Sequence, residues 1–216
     1  MMQSMRLTPF RRVSAATLLP KPSRRASLQC RSLAVTSALT DIEKRALGAY
    51  RSVAFGNSAS DAIQVLKRAA ATKSVQPEIV EGALLTVEQL AAQNISRSTP
   101  SIAGRWRLVF GTATKFRPFQ YIPVKEDFVL DESAKTLALE SSLGPFEFFI
   151  RGVMSSWRPE VGELDFQFNK VDIYFAGNKV WEVTPKTKPK TYTFFHTGPD
   201  LACARSSAGG VALLVR

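Results

Sequence analysis

The sequence predicts a mainly β chain with an N-terminal α segment: about three helices, then an antiparallel β-barrel. Three observations carry this expectation. Apolar residues recur at helical spacing between Ile42 and Leu90. From Trp106 onward the apolar period becomes two. Turn residues then divide the remainder into short runs, at the roughly 8–12-residue spacing of an all-β barrel or sandwich.

The first 39 residues stand apart. Arg6, Arg11, Arg12, Lys21, Arg24, Arg25 and Arg31 meet no acidic residue there, and serine and threonine are abundant. This composition predicts a disordered organelle transit peptide, and by itself it suits a chloroplast and a mitochondrion equally. No apolar run in it approaches the roughly 20 residues that span a bilayer. The formal charge of +11 is therefore concentrated in the leader, and the rest of the chain has an ordinary balance.

Residues 40–101 read as a helical segment, packing on or near the barrel. Thr40-Asp41-Ile42-Glu43 is a capping box, and Ile42, Ala46, Leu47, Tyr50 and Val53 follow on one face before Gly56-Asn57 stops the run. Ser60-Asp61 opens a second helix. Pro77, followed by Glu78 and Glu81, opens a third that ends near Asn94. Its broad apolar face packs on the barrel or serves as a docking surface for another protein.

Residues 102–216 hold about nine or ten strands. Trp106, Leu108 and Phe110 share one face of the first. Gly177-Asn178 marks a tight hairpin. Twelve of the fourteen phenylalanines fall between Phe110 and Phe195. We expect Phe110, Phe128, Phe148, Phe166, Phe168 and Phe175 to face inward, where they either line a cavity for an apolar ligand or fill a dry aromatic core. Gly104-Arg105-Trp106 opens the β region and Arg205 precedes its last strand. A G-x-W answered by an arginine closes the floor of a lipocalin-like barrel, with the Arg205 guanidinium laid over the Trp106 ring if Leu201 points inward.

Other segments carry less. Lys115, Phe116, Arg117 and Phe119 interleave cations and rings on a loop, which suits contact with an anionic membrane surface or a loop tucked over the barrel mouth. Trp157 reads as an interfacial or rim ring, and Lys186–Lys190 as a solvated loop. Catalysis finds little support. His196 is the only histidine, so a multi-histidine metal site is excluded, and no nucleophile elbow, phosphate loop or dinucleotide fingerprint is present. The neighbours Glu126 and Asp127 point to opposite faces of a strand and read as a solvated sheet edge. Cys203 reads as a small buried apolar residue. No cofactor is implied, and the charge distribution and missing stacking motifs argue against nucleic acid.

From about Leu39 to Arg216 the chain resembles the plastid lipid-associated protein (fibrillin) family. The resemblance lies in Val87–Leu90, Asn94 and Ala103-Gly104-Arg105-Trp106-Arg107-Leu108-Val109-Phe110-Gly111-Thr112, in Phe119-Gln120-Tyr121-Ile122, and in the tail Asp200-Leu201 through Arg205 to Gly209-Gly210 and Val215. Ala202 stands where the family carries its first tail arginine, and the family's asparagine motif after the glutamine segment is missing. The resemblance implies a non-enzymatic, lipocalin-like barrel of the chloroplast, at plastoglobule, thylakoid or stroma. It would bind a prenylquinone, carotenoid or acyl lipid and attach peripherally to lipid; the other reading is a ligand-free scaffold.

Overall fold

The computed structural model describes residues 39–53, 58–93, 101–113 and 119–216. The expected leader, the Gly56-Asn57 stop and the loop residues Lys115, Phe116 and Arg117 lie outside these.

Among the described residues three helices come first: α1 (Asp41–Val53), α2 (Ala59–Thr72) and α3 (Pro77–Gln93). The capping box of α1 forms as its sequence predicts, with the Glu43 amide donating to Thr40 Oγ1 at 3.2 Å and the Thr40 amide to Glu43 Oε2 at 2.8 Å. Ser58 and Asp61 make the equivalent box for α2, two residues earlier than Ser60 suggests. Helix α3 crosses α1 at Gly82. A Cβ there would stand 2.2 Å from the Ala46 carbonyl oxygen, so only glycine lets these two backbones approach.

Nine strands follow among the described residues: β1 (Gly104–Gly111), β2 (Lys125–Asp131), β3 (Thr136–Leu143), β4 (Phe146–Arg158), β5 (Glu163–Phe175), β6 (Asn178–Val183), β7 (Lys190–Thr197), β8 (Leu201–Ser206) and β9 (Val211–Val215). All pairings are antiparallel, in the order β4-β3-β2-β1-β9-β8-β7-β5-β6, and β4 also pairs with β5. The sheet therefore closes on itself as a ring of eight strands. Strand β6 lies outside the ring, because β5 gives Glu163–Phe166 to β7 and Val171–Phe175 to β6.

Alternate residues from all eight ring strands meet in one buried cluster, including Trp106, Phe128, Leu137, Met154, Phe166, Phe194, Ala204 and Leu214. A second cluster joins the helices to the outer face of β1, β7, β8 and β9 through Phe110, Phe195, Leu201, Cys203 and Leu213. Strand β8 is thus buried on both faces, which explains its unbroken run of apolar residues.

Two sequence expectations are corrected here. Phe110 does not face the ring interior. The register slips between Leu108 and Phe110, and the extra residue turns the Phe110 ring toward the helical layer, edge-on to Tyr121 at 5.3 Å. Arg205 is not inward either: Ala202 and Ala204 take the inner face of β8, and Leu201, Cys203 and Arg205 the helix-facing one.

Candidate functional site

The two ends of the ring differ in chemistry. At one end lie the starts of β1 and β8 and the ends of β2, β7 and β9. Here Trp106 is fully buried and its indole Nε1 donates to the Ile102 carbonyl at 2.8 Å. The guanidinium of Arg216, the last residue, lies 4.2 Å from the Trp106 ring centroid and donates to the Ala103 carbonyl at 2.7 Å. Gly104 sits at φ 120°, a backbone conformation that favours glycine, and Arg216 packs alongside it. A tryptophan and an arginine therefore close this floor, with Arg216 in the place expected for Arg205.

Arg205 instead ties the sheet to the helices. Its Nε and Nη2 grip the Glu88 carboxylate at 2.5 and 2.6 Å, and Nη1 reaches Glu43 Oε1 at 3.1 Å. Burial would raise the Glu43 pKa, but the Thr40 hydrogen bonds and Arg205 outweigh it and hold the carboxyl below its ordinary value.

Above the floor, the rings of Phe128, Phe166 and Tyr192 meet with centroids 4.9–6.1 Å apart, and Trp157 stands edge-on to Phe194 at 6.0 Å. This level is filled with side chains. Trp157 is thus an interior ring, away from any membrane-facing rim.

Among the described residues the opposite end is the more exposed one. Strands β4 and β5, thirteen residues each, extend beyond their neighbours, and β6 flanks the projecting part of β5. Along the inner side run Leu139, Phe148, Ile150, Phe168 and Ile173, all half-buried. The surface then reaches Phe146 and Phe175, 40% and 45% exposed, whose rings meet at 5.0 Å. Leu143, Val180 and Trp181 beside them are 61%, 56% and 57% exposed. The β3–β4 and β5–β6 turns sit side by side, Ala176 N–H donating to the Pro145 carbonyl at 2.9 Å. Phe119, 53% exposed, belongs to the connection between β1 and β2, which leaves the ring at this same end.

Of the expected inward rings, Phe128 and Phe166 lie in the filled level, Phe168 and Phe148 along the mouth, and Phe175 at its exposed tip. The sequence reading missed Leu143, Phe146, Val180 and Trp181. Alternation in β4 pointed to Phe146, but the free position of β6 depends on β5 exchanging partners mid-strand, which no local pattern announces.

The outer face of the projecting hairpin is ionic. Asp172 is fully buried and meets Arg151 at 2.5 Å and Lys179 at 2.7 Å, while Arg151 lies 5.5 Å over the Phe149 ring. Hydrogen bonding from Lys179 outweighs burial and holds the Asp172 carboxyl low. An open groove of about 420 Å³ lies on this outer side, among Val129, Ala138, Arg151 and Val153.

Glu126 and Asp127 separate as alternation requires, but neither is a solvated edge residue. Asp127 is 2% exposed on the outer face, bound by Arg105 at 3.1 Å and Arg107 at 2.5 Å. Those hydrogen bonds overcome burial and lower its pKa. Glu126 takes the inner face opposite Ser141, and burial raises its pKa. Cys203 is fully buried, its thiol pushed far above the ordinary value. His196 faces the helical layer at the level of Cys203, and burial, with Lys67 nearby, holds its imidazole below the usual value.

Among the described residues no group of three His, Cys, Asp or Glu could hold a metal, and no helix is long and apolar enough to cross a membrane. The chain matches no family model, and no characterised protein matches it.

Proposed function

We propose that this chain is a lipocalin-like, lipid-associated protein of plastids: a non-enzymatic binder of an apolar metabolite that docks peripherally on lipid. The observation that carries this reading is the continuous apolar surface running from the half-buried Phe168 and Ile150 to the exposed Phe146, Phe175 and Trp181. An exposed apolar strip joined to an enclosed one suits an oily ligand that passes between a lipid phase and the ring. The tryptophan–arginine floor and the resemblance to fibrillins point the same way, and that resemblance with the leader's composition supplies the plastid assignment.

The lipid-docking surface is the mouth end. Val180 and Trp181 lie on β6, and the stretch 178–190 carries Lys179, Lys186, Lys188 and Lys190 against a single acidic residue, Glu182. Aromatic and aliphatic tips flanked by lysines suit the headgroup region of an anionic membrane. Of the expected membrane-contact residues, Phe119 belongs to this same end, and Lys115, Phe116 and Arg117 lie outside the described residues.

The ring cluster of Phe128, Phe166 and Tyr192 favours a second reading, in which the interior is solid and the protein is a scaffold. Mass spectrometry of solvent extracts from full-length protein, purified without detergent, separates the two. A recurrent apolar compound near one per chain is expected. Clean extracts, together with no uptake of added lipid, would leave the scaffold.

A further inference from the structure

We infer that Glu126 is the polar anchor of the mouth, and that it selects apolar molecules ending in a hydrogen-bond-donating hydroxyl over those ending in a carboxylate. The inference rests on the apolar-ligand reading above and names the ligand class.

The placement follows from register. On β2, Phe128 and Leu130 lie opposite Leu139 and Leu137, all four in the interior cluster, and Glu126 sits one step nearer the mouth, opposite Ser141. It is half-buried, above the filled level of rings. Tyr192 packs on Phe128 at 5.8 Å and feels the Glu126 charge: burial, and then that carboxylate, raise its phenol pKa.

The cations of this region go elsewhere. Arg105, Arg107 and Lys125 all approach Asp127 on the outer face. Among the described residues Glu126 has no ion pair or hydrogen bond. Among the described residues, the charged or titratable groups on the inner side of the other ring strands are Tyr192 and, at the rim, Lys190, both on β7, the Lys190 Nζ lying 5.8 Å over the Phe168 ring. A carboxylate without a partner among apolar walls costs stability, and such an arrangement is characteristic of binding sites.

Its chemistry sets the preference. An ionised carboxylate accepts hydrogen bonds and cannot donate them, so an alcohol head complements it. A second carboxylate beside it would place like charges together in a partly desolvated site.

The test compares ligands with matched tails on the full chain at pH 7.5, by quenching of tryptophan emission. Retinol is expected to bind roughly tenfold more tightly than retinoic acid, about 1.4 kcal/mol. Octadecanol and octadecanoic acid, used as competitors, provide a second tail. Glu126→Gln preserves the shape and should bring the acid within roughly threefold of the alcohol, with unfolding transitions confirming that the variant folds. Equal affinities for acid and alcohol in both proteins would overturn the role of Glu126 and leave the apolar-ligand reading standing. Tighter binding of the acid by the unaltered chain would overturn it in favour of Lys190. Failure of every alcohol and acid to bind would remove the apolar-ligand reading and this inference with it.

Discussion

Arg205 and Arg216 carry the same charge into different work. Arg205, three-quarters buried, clamps Glu88 and Glu43 and so joins β8 to α3 and α1. Arg205→Ala would leave two carboxylates without their cation, and we expect a loss of about 2 kcal/mol, below the range for fully buried pairs because water reaches this one. Urea unfolding of Arg205→Ala, Glu88→Ala and the double variant should be strongly non-additive. Additive losses would mean that the two side chains stabilise the fold independently. Arg216→Ala removes an exposed cation–π contact and one hydrogen bond, so about 1–2 kcal/mol is expected. Glu126 adds a pH-dependent effect. Its pKa is raised in the folded chain, so its favourable contribution is present below the ordinary carboxylate range and lost as pH rises through the folded value. Glu126→Gln should therefore melt higher than the unaltered chain at pH 7, with the gap narrowing as pH falls through the raised folded value and closing in the ordinary carboxylate range, at about pH 4. A gap that widens in acid would reverse the assignment.

At the scale of elements, the close crossing of α1 and α3 depends on one glycine. Gly82→Ala must push the helices apart, with a cost of about 1–3 kcal/mol from overpacking, readable as a lower urea midpoint. The tip of the projecting hairpin makes a separate claim. Val180→Ser with Trp181→Ser should leave the fold intact and weaken binding to anionic vesicles several-fold, as judged by co-sedimentation against the unaltered full chain. Undiminished binding would move the lipid contact away from β6. These elements also show what local sequence conveys. The capping box of Thr40 and Glu43, the Pro77 helix start and the alternation in β2 were all readable, because each depends on neighbours in the chain. The turn of Phe110 toward the helices was not, because it depends on a register slip against β9, a strand about a hundred residues away. Arg205 was misplaced for a related reason: β8 is apolar on both faces, so alternation cannot say which face is inner.

For the whole molecule, closure of the sheet through β4 and β5 creates an inside with two levels. A tryptophan–arginine floor and a packed layer of rings stabilise the closed ring. The projecting apolar mouth is where the proposed oily ligand would enter. The mainly β class with helices first was legible from periodicity and turn spacing; the floor motif pointed to Trp106 but to the wrong arginine, Arg205, where Arg216 covers the ring. The mouth was not legible, since it is assembled from β3, β4, β5 and β6 only after β5 changes partners. The central claim is that apolar ligands enter this mouth and stop above Phe128 and Phe166. Methyl NMR of the full chain with a nitroxide-labelled long-chain alcohol tests it most directly. Signals of Leu139, Ile150 and Ile173 should broaden while those of Leu47 and Leu84 in the helical layer stay sharp. Broadening confined to the helices, or none anywhere at saturating alcohol, would contradict the account.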